Sequence, residues 1–404
     1  MQIRSLELQN FRSYEAASLT LADGLTAIVG ENGQGKTNLL EAISWIAGMG
    51  SFRGVPDDAL IRLGADAAIV RATVVGTDGR EQLVEAELPR IGRNRIQVNR
   101  QRLQRARDLL GVVQVTVFSP DDLELVKGGP ALRRRWIDDA LVSRHPKHDA
   151  LRGDLERILK QRNALLRSTH GRLDADAAFT LDVWDAKLAA AGQAVRDARE
   201  ALLAEMAPRL AGAYDAVARQ AAAVETIYEP SWDGGLAEAL AAARDHDVRR
   251  GVTTVGPHRD EVVLRIGGAP ARTHASQGEQ RSLALALRLA ADAVVREAGV
   301  AEPVLLLDDV FSELDPGRAE ALLDTLPDGQ RLLTTAAWLP PAAVPDRVLR
   351  VVDGTVTEAS GAEPSKGTEA SGAEPSNGTE ASGAEPSSGS EASGAEPSGG
   401  ITDA

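Results

Sequence analysis

The sequence predicts an α/β fold assembled from both ends of the chain, with an α-helical lobe inserted between the halves and a tail that packs on nothing. Three observations predict it. A glycine-rich loop separates an apolar strand from an apolar-faced helix near the N-terminus, apolar spacing of three and four runs from Leu132 to Arg250, and a fully apolar strand, Val304 to Leu307, lies near the C-terminus. The expected divisions are 1–130 and 251–356 for the two halves of the core, 131–250 for the lobe and 357–404 for the tail. A chain of 404 residues exceeds what one compact core usually holds.

Leu19 to Leu21 and Leu25 to Val29 read as strands parted by the turn residues Asp23 and Gly24. After the glycine-rich loop, Asn38 to Ala47 places Leu39, Leu40, Ile43 and Ile46 at helical spacing. Short alternating runs from Ala68 to Val98, punctuated by Gly or Asn, suggest antiparallel strands. In the lobe, Leu151, Leu155, Ile158 and Leu159 mark one helix. Leu181, Trp184, Leu188, Ala191, Val195, Ala198 and Leu202 then keep a 3-4 rhythm until Pro208 interrupts it, a run of about 26 residues or roughly 39 Å. Such a stripe is the packed face of a helix pair, and it carries no ligand. Strands resume at Val262, and a long Ala/Leu helix follows Ser276.

The chain has no Cys, which excludes disulfide frameworks, thiolate metal sites and cysteine nucleophiles and suits the cytoplasm. The N-terminus lacks the apolar stretch of a secretory signal, and no run is long enough to cross a bilayer, so no membrane partner is expected. Four near-identical repeats, TEASGAEPSKG and its variants, begin at Thr357. They offer no large apolar residue to offset ordering entropy, so disorder is expected. The tail carries a net charge of −8, which leaves the first 356 residues at −6 of the whole chain's −14. A mildly acidic core cannot coat DNA by bulk electrostatics, so any DNA site is a local basic patch.

Gly30 to Thr37 reads GENGQGKT: Gly30, Glu31, Asn32, Gly33, Gln34, Gly35, Lys36 and Thr37 fit the phosphate-loop pattern G-x-x-x-x-G-K-T in the strand-loop-helix setting that pattern requires. Backbone N–H groups would close round the β-phosphate of ATP, Lys36 would reach the β and γ oxygens, and Thr37 would ligate Mg²⁺. Val304 to Asp309, VLLLDD, is a buried strand ending in two carboxylates, the form of a Walker B element. Asp308 would hold the metal, and Asp309, with Lys36 the catalytic pair, would orient or deprotonate the attacking water. Where this ATPase class usually has Glu, the shorter Asp309 suggests slow hydrolysis.

Ser276, Gln277, Gly278, Glu279 and Gln280 open a helix and resemble the ABC signature. A Ser there could be a plain N-cap. Its order argues otherwise: the Walker B acid follows 32 residues on, and Ser312, Glu313, Leu314 and Asp315 come next as a D-loop. In this class the signature faces the γ-phosphate held by the other subunit, which predicts an ATP-dependent homodimer.

The stretches NFRSY at Asn10, GENGQGKTNLLEAI at Gly30, FSPDDLELVKGGPALRRRWID at Phe118, VGPHRDE at Val255, SQGEQRSLALALRLA at Ser276 and LLLDDVFSELD at Leu305 together resemble the RecF family, over essentially residues 1–355. The resemblance implies a bacterial SMC-like, ABC-type P-loop ATPase head with a short helical lobe. It further implies weak, DNA-stimulated ATP hydrolysis, binding to double-stranded DNA near gap junctions, and action with RecR and RecO to help load RecA in the nucleoid. The chain departs from the wider class where a switch His is usual: LLTTAA at Leu332 offers only Thr334 or Thr335. Gln114 is a candidate Q-loop residue. His258, Arg259 and Asp260 are typical of the family and receive no role.

Arg90 to Arg107 holds seven Arg and no acid. Arg93, Arg95, Arg100, Arg102 and Arg105 read as phosphate contacts on a hairpin, against the alternative of a solvated basic face. Arg133 to Arg135 could instead pair with acids at a lobe junction. The main rival reading, the ATPase subunit of a membrane transporter, has the same three motifs, but Lys36 and Ser276 stand 240 residues apart here, more than twice what such a head resembles. No metal-binding acidic domain follows Asp315, which argues against a head-plus-nuclease protein, and the helical arm is too short for an SMC-like tether.

Overall fold

The computed structural model describes residues 1–48, 50–299, 302–336 and 339–359, Ala106 by its backbone alone. The chain opens with the hairpin β1 (Gln2–Phe11) and β2 (Tyr14–Thr20), continues into β3 (Leu25–Val29), and enters α1 (Lys36–Gly48) directly from the glycine-rich loop. β4 (Ala67–Val75), β5 (Glu81–Pro89), β6 (Arg95–Val98) and β7 (Gln101–Arg102) extend the first hairpin into an antiparallel sheet of order β2-β1-β4-β5-β6-β7. β4 alternates cleanly, burying Ala68, Val70, Ala72 and Val74. The expected β-rich region is there, and β1 enlarges it.

β8 (Val115–Phe118) leads into α2 (Leu123–Lys127), α3 (Pro130–Arg144), α4 (His148–Ser168) and α5 (Ala175–Ala218). Pro208 does not end α5, which runs for 44 residues, or roughly 66 Å at the usual rise. The proline leaves the Ala204 carbonyl without its amide, at a cost of a few kcal/mol. Leu202, Leu203, Met206, Leu210 and Tyr214 nevertheless stay buried with the apolar side chains of the long C-terminal helix, each worth about 1.5–3 kcal/mol. Arg209 also donates to the Glu205 carbonyl at 2.5 Å, beside the gap. Packing on this face outweighs the local break.

A strand then interrupts the lobe: β9 (Val224–Glu229) precedes α6 (Leu236–Arg250), and pairs with β10 (Glu261–Ile266), beyond which come β11 (Ala269–Pro270) and α7 (Ala271–His274). The lobe helices are pinned by a buried cation. Arg162, with no exposure, meets Asp185 and Asp247 at 2.7 Å each and Thr253 at 2.8 Å, joining α4, α5 and α6.

α8 (Gln277–Glu297), β12 (Val304–Asp308), α9 (Pro316–Thr325), β13 (Arg331–Thr335), β14 (Arg347–Val352) and β15 (Thr355–Glu358) complete the described chain. Thr357 and Glu358 belong to this last strand, so the repeats begin inside the fold. The tail's expected disorder otherwise concerns residues 360–404, outside the described residues. The second large sheet has the order β15-β14-β3-β13-β12-β8 and is parallel except for β15. β3, from the N-terminal end, lies between β13 and β14, so one sheet is woven from both ends as expected. Register pairs Leu307 with Phe118, Asp308 with Thr334 and Thr335 with Val29. The carboxyl ends of these strands therefore share one edge, where open parallel sheets place their ligands. No helix among the described residues is long and apolar enough to cross a membrane.

Candidate nucleotide-binding site

The glycine-rich loop leaves β3 at that edge. Gly35 has φ +109, and a Cβ there would lie 2.6 Å from Ser13 Oγ, so both its backbone and its neighbour demand glycine. Gly30 passes so close to β14 that a Cβ would stand 2.4 Å from the Val351 carbonyl. Tyr14, fully buried, donates to the Gly35 carbonyl at 3.0 Å; Asn38 donates to Ser13 Oγ at 3.0 Å; and Gln34 Oε1 accepts the Asp353 amide at 2.5 Å. The first and last hairpins of the head thus brace the loop, while Glu31, Asn32 and Gly33 form its exposed crest. Lys36 donates from Nζ to the carbonyls of Gly30 and Glu31, 2.8 Å each. Burial holds its pKa below the ordinary amine value, with Asp309 and Asp308 opposing.

Thr37 and Asp308 meet: the hydroxyl donates to Oδ1 at 2.8 Å, and Thr334 donates to the same oxygen at 2.7 Å. Burial raises the Asp308 pKa against the pull of those two hydroxyls. Thr37 and Asp308 supply two hard oxygens separated by about the distance between neighbouring ligands on an octahedral Mg²⁺ with bonds of ~2.1 Å, so this pair fits the metal. Asp309 follows in the left-handed region, φ 48, its amide donating to Thr334 Oγ1 at 3.0 Å. Its Oδ1 is buried and has no hydrogen-bond partner among the described residues. The left-handed backbone is one that aspartate tolerates, and the unsatisfied carboxylate oxygen leaves an acceptor free at the strand end.

Ser276 is the N-cap of α8. Its Oγ accepts the Glu279 amide at 3.3 Å and Glu279 accepts the Ser276 amide at 2.7 Å. Gln277 opens the helix. Gln280 is buried and spends its amide on the carbonyls of Ala271 and Arg272, which makes it a brace under the turn. The Arg318 guanidinium lies over Gly278, 2.7 Å from where a Cβ would be. Arg281, one turn into α8, holds the carbonyl and carboxylate of Glu313, both at 3.1 Å. Ser312 donates back to the Asp309 carbonyl at 2.8 Å, Leu314 is partly buried, and Asp315 caps α9. Arg281 thus ties the first turns of α8 to Glu313, and Ser312 ties the same loop to Asp309. Ser276 to Gln280 share no hydrogen bond or ion pair with Gly30 to Thr37 among the described residues.

Gln114 is a correction. It is buried at the start of β8, where its carbonyl takes the Val304 amide and its side chain donates to the Ser143 carbonyl. That is the amino edge of the parallel sheet, the far end of the strand from Asp308. The basic segment forms the expected hairpin, turning at Asn99–Arg100. Arg93, Arg100, Arg102 and Arg105 are exposed and unpaired among the described residues, whereas Arg95 is held by Glu87 at 3.0 Å. Arg133 pairs with Glu261 at 2.8 Å, in keeping with a lobe junction.

A parallel sheet with a glycine-rich loop on one strand and paired carboxylates on a near neighbour is the head of an SMC/ABC-type ATPase. A family model for the RecF/RecN/SMC N terminal domain matches residues 2–333. The DNA replication and repair protein RecF of Streptomyces avermitilis is 44% identical over 370 residues, 88% of this chain and 97% of the relative. That of Frankia alni is 45% identical over 355 residues, 83% and 93% of the two chains. A solved structure of the recombination mediator protein RecF with ATP, in the RecFOR pathway, matches with TM-score 0.82 at 28% identity, covering 89% of this chain and 97% of the other. The chain belongs to the RecF family of DNA replication and repair proteins.

Proposed function

We propose that this chain is an ATP-driven dimerising switch that works on double-stranded DNA. The observation that carries the reading is the Thr37–Asp308 contact at 2.8 Å, with the unsatisfied Asp309 carboxylate beside it. The phosphates of ATP lie in the cradle Gly30, Glu31, Asn32, Gly33, Gln34, Gly35, Lys36 and Thr37, where Lys36 exchanges its two carbonyls for phosphate oxygens. Thr37 and Asp308 would hold Mg²⁺, which would supply charge neutralisation to the phosphates. Asp309 positions the attacking water. Ser276 and Gly278 of a second copy close the site, which makes two ATP the glue of a symmetric homodimer. The head is residues 1–130 and 251–356 around the lobe 131–250.

Arg93, Arg100, Arg102 and Arg105, with Arg95 in a lesser part, hold DNA phosphates, and DNA stimulates a weak ATPase. As a RecF-family protein the chain acts in the cytoplasm, on the nucleoid, at gap junctions with RecR and RecO, and so helps load RecA. Duplex binding and ATP turnover measured with and without Mg²⁺-ATP, for the natural chain and Lys36→Ala, test the reading. We expect ATP to strengthen duplex binding in the natural chain alone; equal binding in all four conditions overturns it.

A further inference from the structure

A cavity of about 400 Å³ opens between α3, α4 and α5. Leu151, Leu155 and Leu159 line its apolar side, and Arg134, Arg135 and Arg152 its charged side. Two stretches distant in sequence meet there: the triple arginine of α3 and the Val255–Glu261 loop that carries His258.

The cations around this cavity are unequally satisfied. Arg133 is closed off by both oxygens of Glu261 and by the carbonyls of Leu125 and Gly128. Arg199 grips both oxygens of Asp138 at 2.8 Å, and Arg152 holds Asp139 and Asp149 at 3.0 and 2.8 Å. Asp260 is taken by the Tyr228 hydroxyl and the Ser231 amide. Arg134 alone of this group has no carboxylate within ion-pair distance among the described residues; its single bond runs from Nη1 to the Asp260 carbonyl at 2.5 Å. It is half-buried, with the like charge of Arg199 and the more distant carboxylates of Glu261, Asp260 and Asp138 all acting on it. His148 and His258, on the same cavity, each keep a buried Nδ1 without a partner among the described residues. A guanidinium with no carboxylate in ion-pair distance keeps most of its donors free, and its planar fork matches a carboxylate with two parallel bonds.

We propose that this cavity docks an acidic peptide segment of a partner protein, with a carboxylate forked onto Arg134 and a bulky apolar side chain against the leucines. A nucleic-acid strand suits it less. A phosphodiester backbone has no bulky apolar group for the leucine side of the lining.

The test uses the full chain and dye-labelled Asp-Glu-Leu-Phe with a free carboxyl end, read by fluorescence anisotropy, with a Ser-Ser-Ser-Ser probe as control. We expect saturable micromolar binding of the acidic probe alone. Arg134→Gln should weaken it at least about tenfold, and Ala198→Phe, which fills the cavity, should do the same with the guanidinium intact. Circular dichroism melts of both variants establish that they fold, and ATP turnover should be unchanged in both. If Arg134→Gln does not fold, Ala198→Phe carries the test. The proposal is overturned by absent binding at millimolar protein, by equal binding in the variants, or by a 20-mer duplex or inorganic phosphate displacing the probe as well as unlabelled peptide does.

Discussion

Thr334 stands directly across the strand pair from Asp308 and donates its hydroxyl to that carboxylate at 2.7 Å, while the same hydroxyl receives the amide of Asp309. One threonine therefore fixes both acids of the strand end.

Asp308→Asn should stabilise the fold and stop Mg²⁺-dependent turnover. Burial raises the Asp308 pKa, so as pH rises through the ordinary carboxylate range the unfolded chain loses its proton first. The folded state binds more protons there, so this group's contribution to stability falls with rising pH and stays low at neutrality. Asparagine removes that cost and still accepts both hydroxyls. We expect a gain of about 1 kcal/mol at pH 7 that shrinks towards pH 4, measured by urea unfolding. A loss of stability at pH 7 would contradict the burial argument.

Asp309→Asn should bind ATP as the natural chain does and hydrolyse it roughly a hundredfold or more slower. Asparagine tolerates the left-handed φ of 48 as well as aspartate, so the backbone gives no competing effect. Single-turnover kinetics near the natural rate would remove Asp309 from the chemistry.

Ser276→Arg should keep ATP binding yet abolish ATP-dependent dimerisation. It also removes the α8 cap, at about 1 kcal/mol, so Ser276→Asn, which keeps the cap, separates stability from assembly. Light scattering with ATP in the Asp309→Asn background reads the outcome. A natural Ser276 chain that stays monomeric at saturating ATP would count against a shared site.

Changing Arg93, Arg100 and Arg102 to Glu should lower the salt dependence of duplex binding by ~0.9 per lost phosphate contact. Arg95→Gln should lower it less, because Glu87 already neutralises that guanidinium. Equal slopes for all four place the DNA surface elsewhere.

Much of the site was legible because its chemistry is written in contiguous runs: the glycine-rich loop, the helix it opens and the two acids after an apolar strand all fall where expected. β1 was missed because its buried set, Ile3, Leu6, Leu8 and Phe11, is thrown out of alternation by a register shift between Ile3 and Ser5. β9 was missed because its burial is only partial and its partner, β10, lies beyond an intervening helix. Pro208 read as a stop, since a local rule cannot see the apolar face that α8 covers. Gln114 failed for a directional reason: a residue type and a nearby strand do not tell which end of the strand faces the ligand.

β3 has its neighbours, β13 and β14, more than three hundred residues downstream, and the loop leaving it is roofed by Asp353. During synthesis this strand therefore waits with both edges open until almost the whole head has been made. Such late, long-range pairing is slow and leaves strand edges exposed to other chains. A product cut short before Arg347 would keep its glycine-rich sequence and still lack β14 on one side of β3 and the Asp353 roof over the loop.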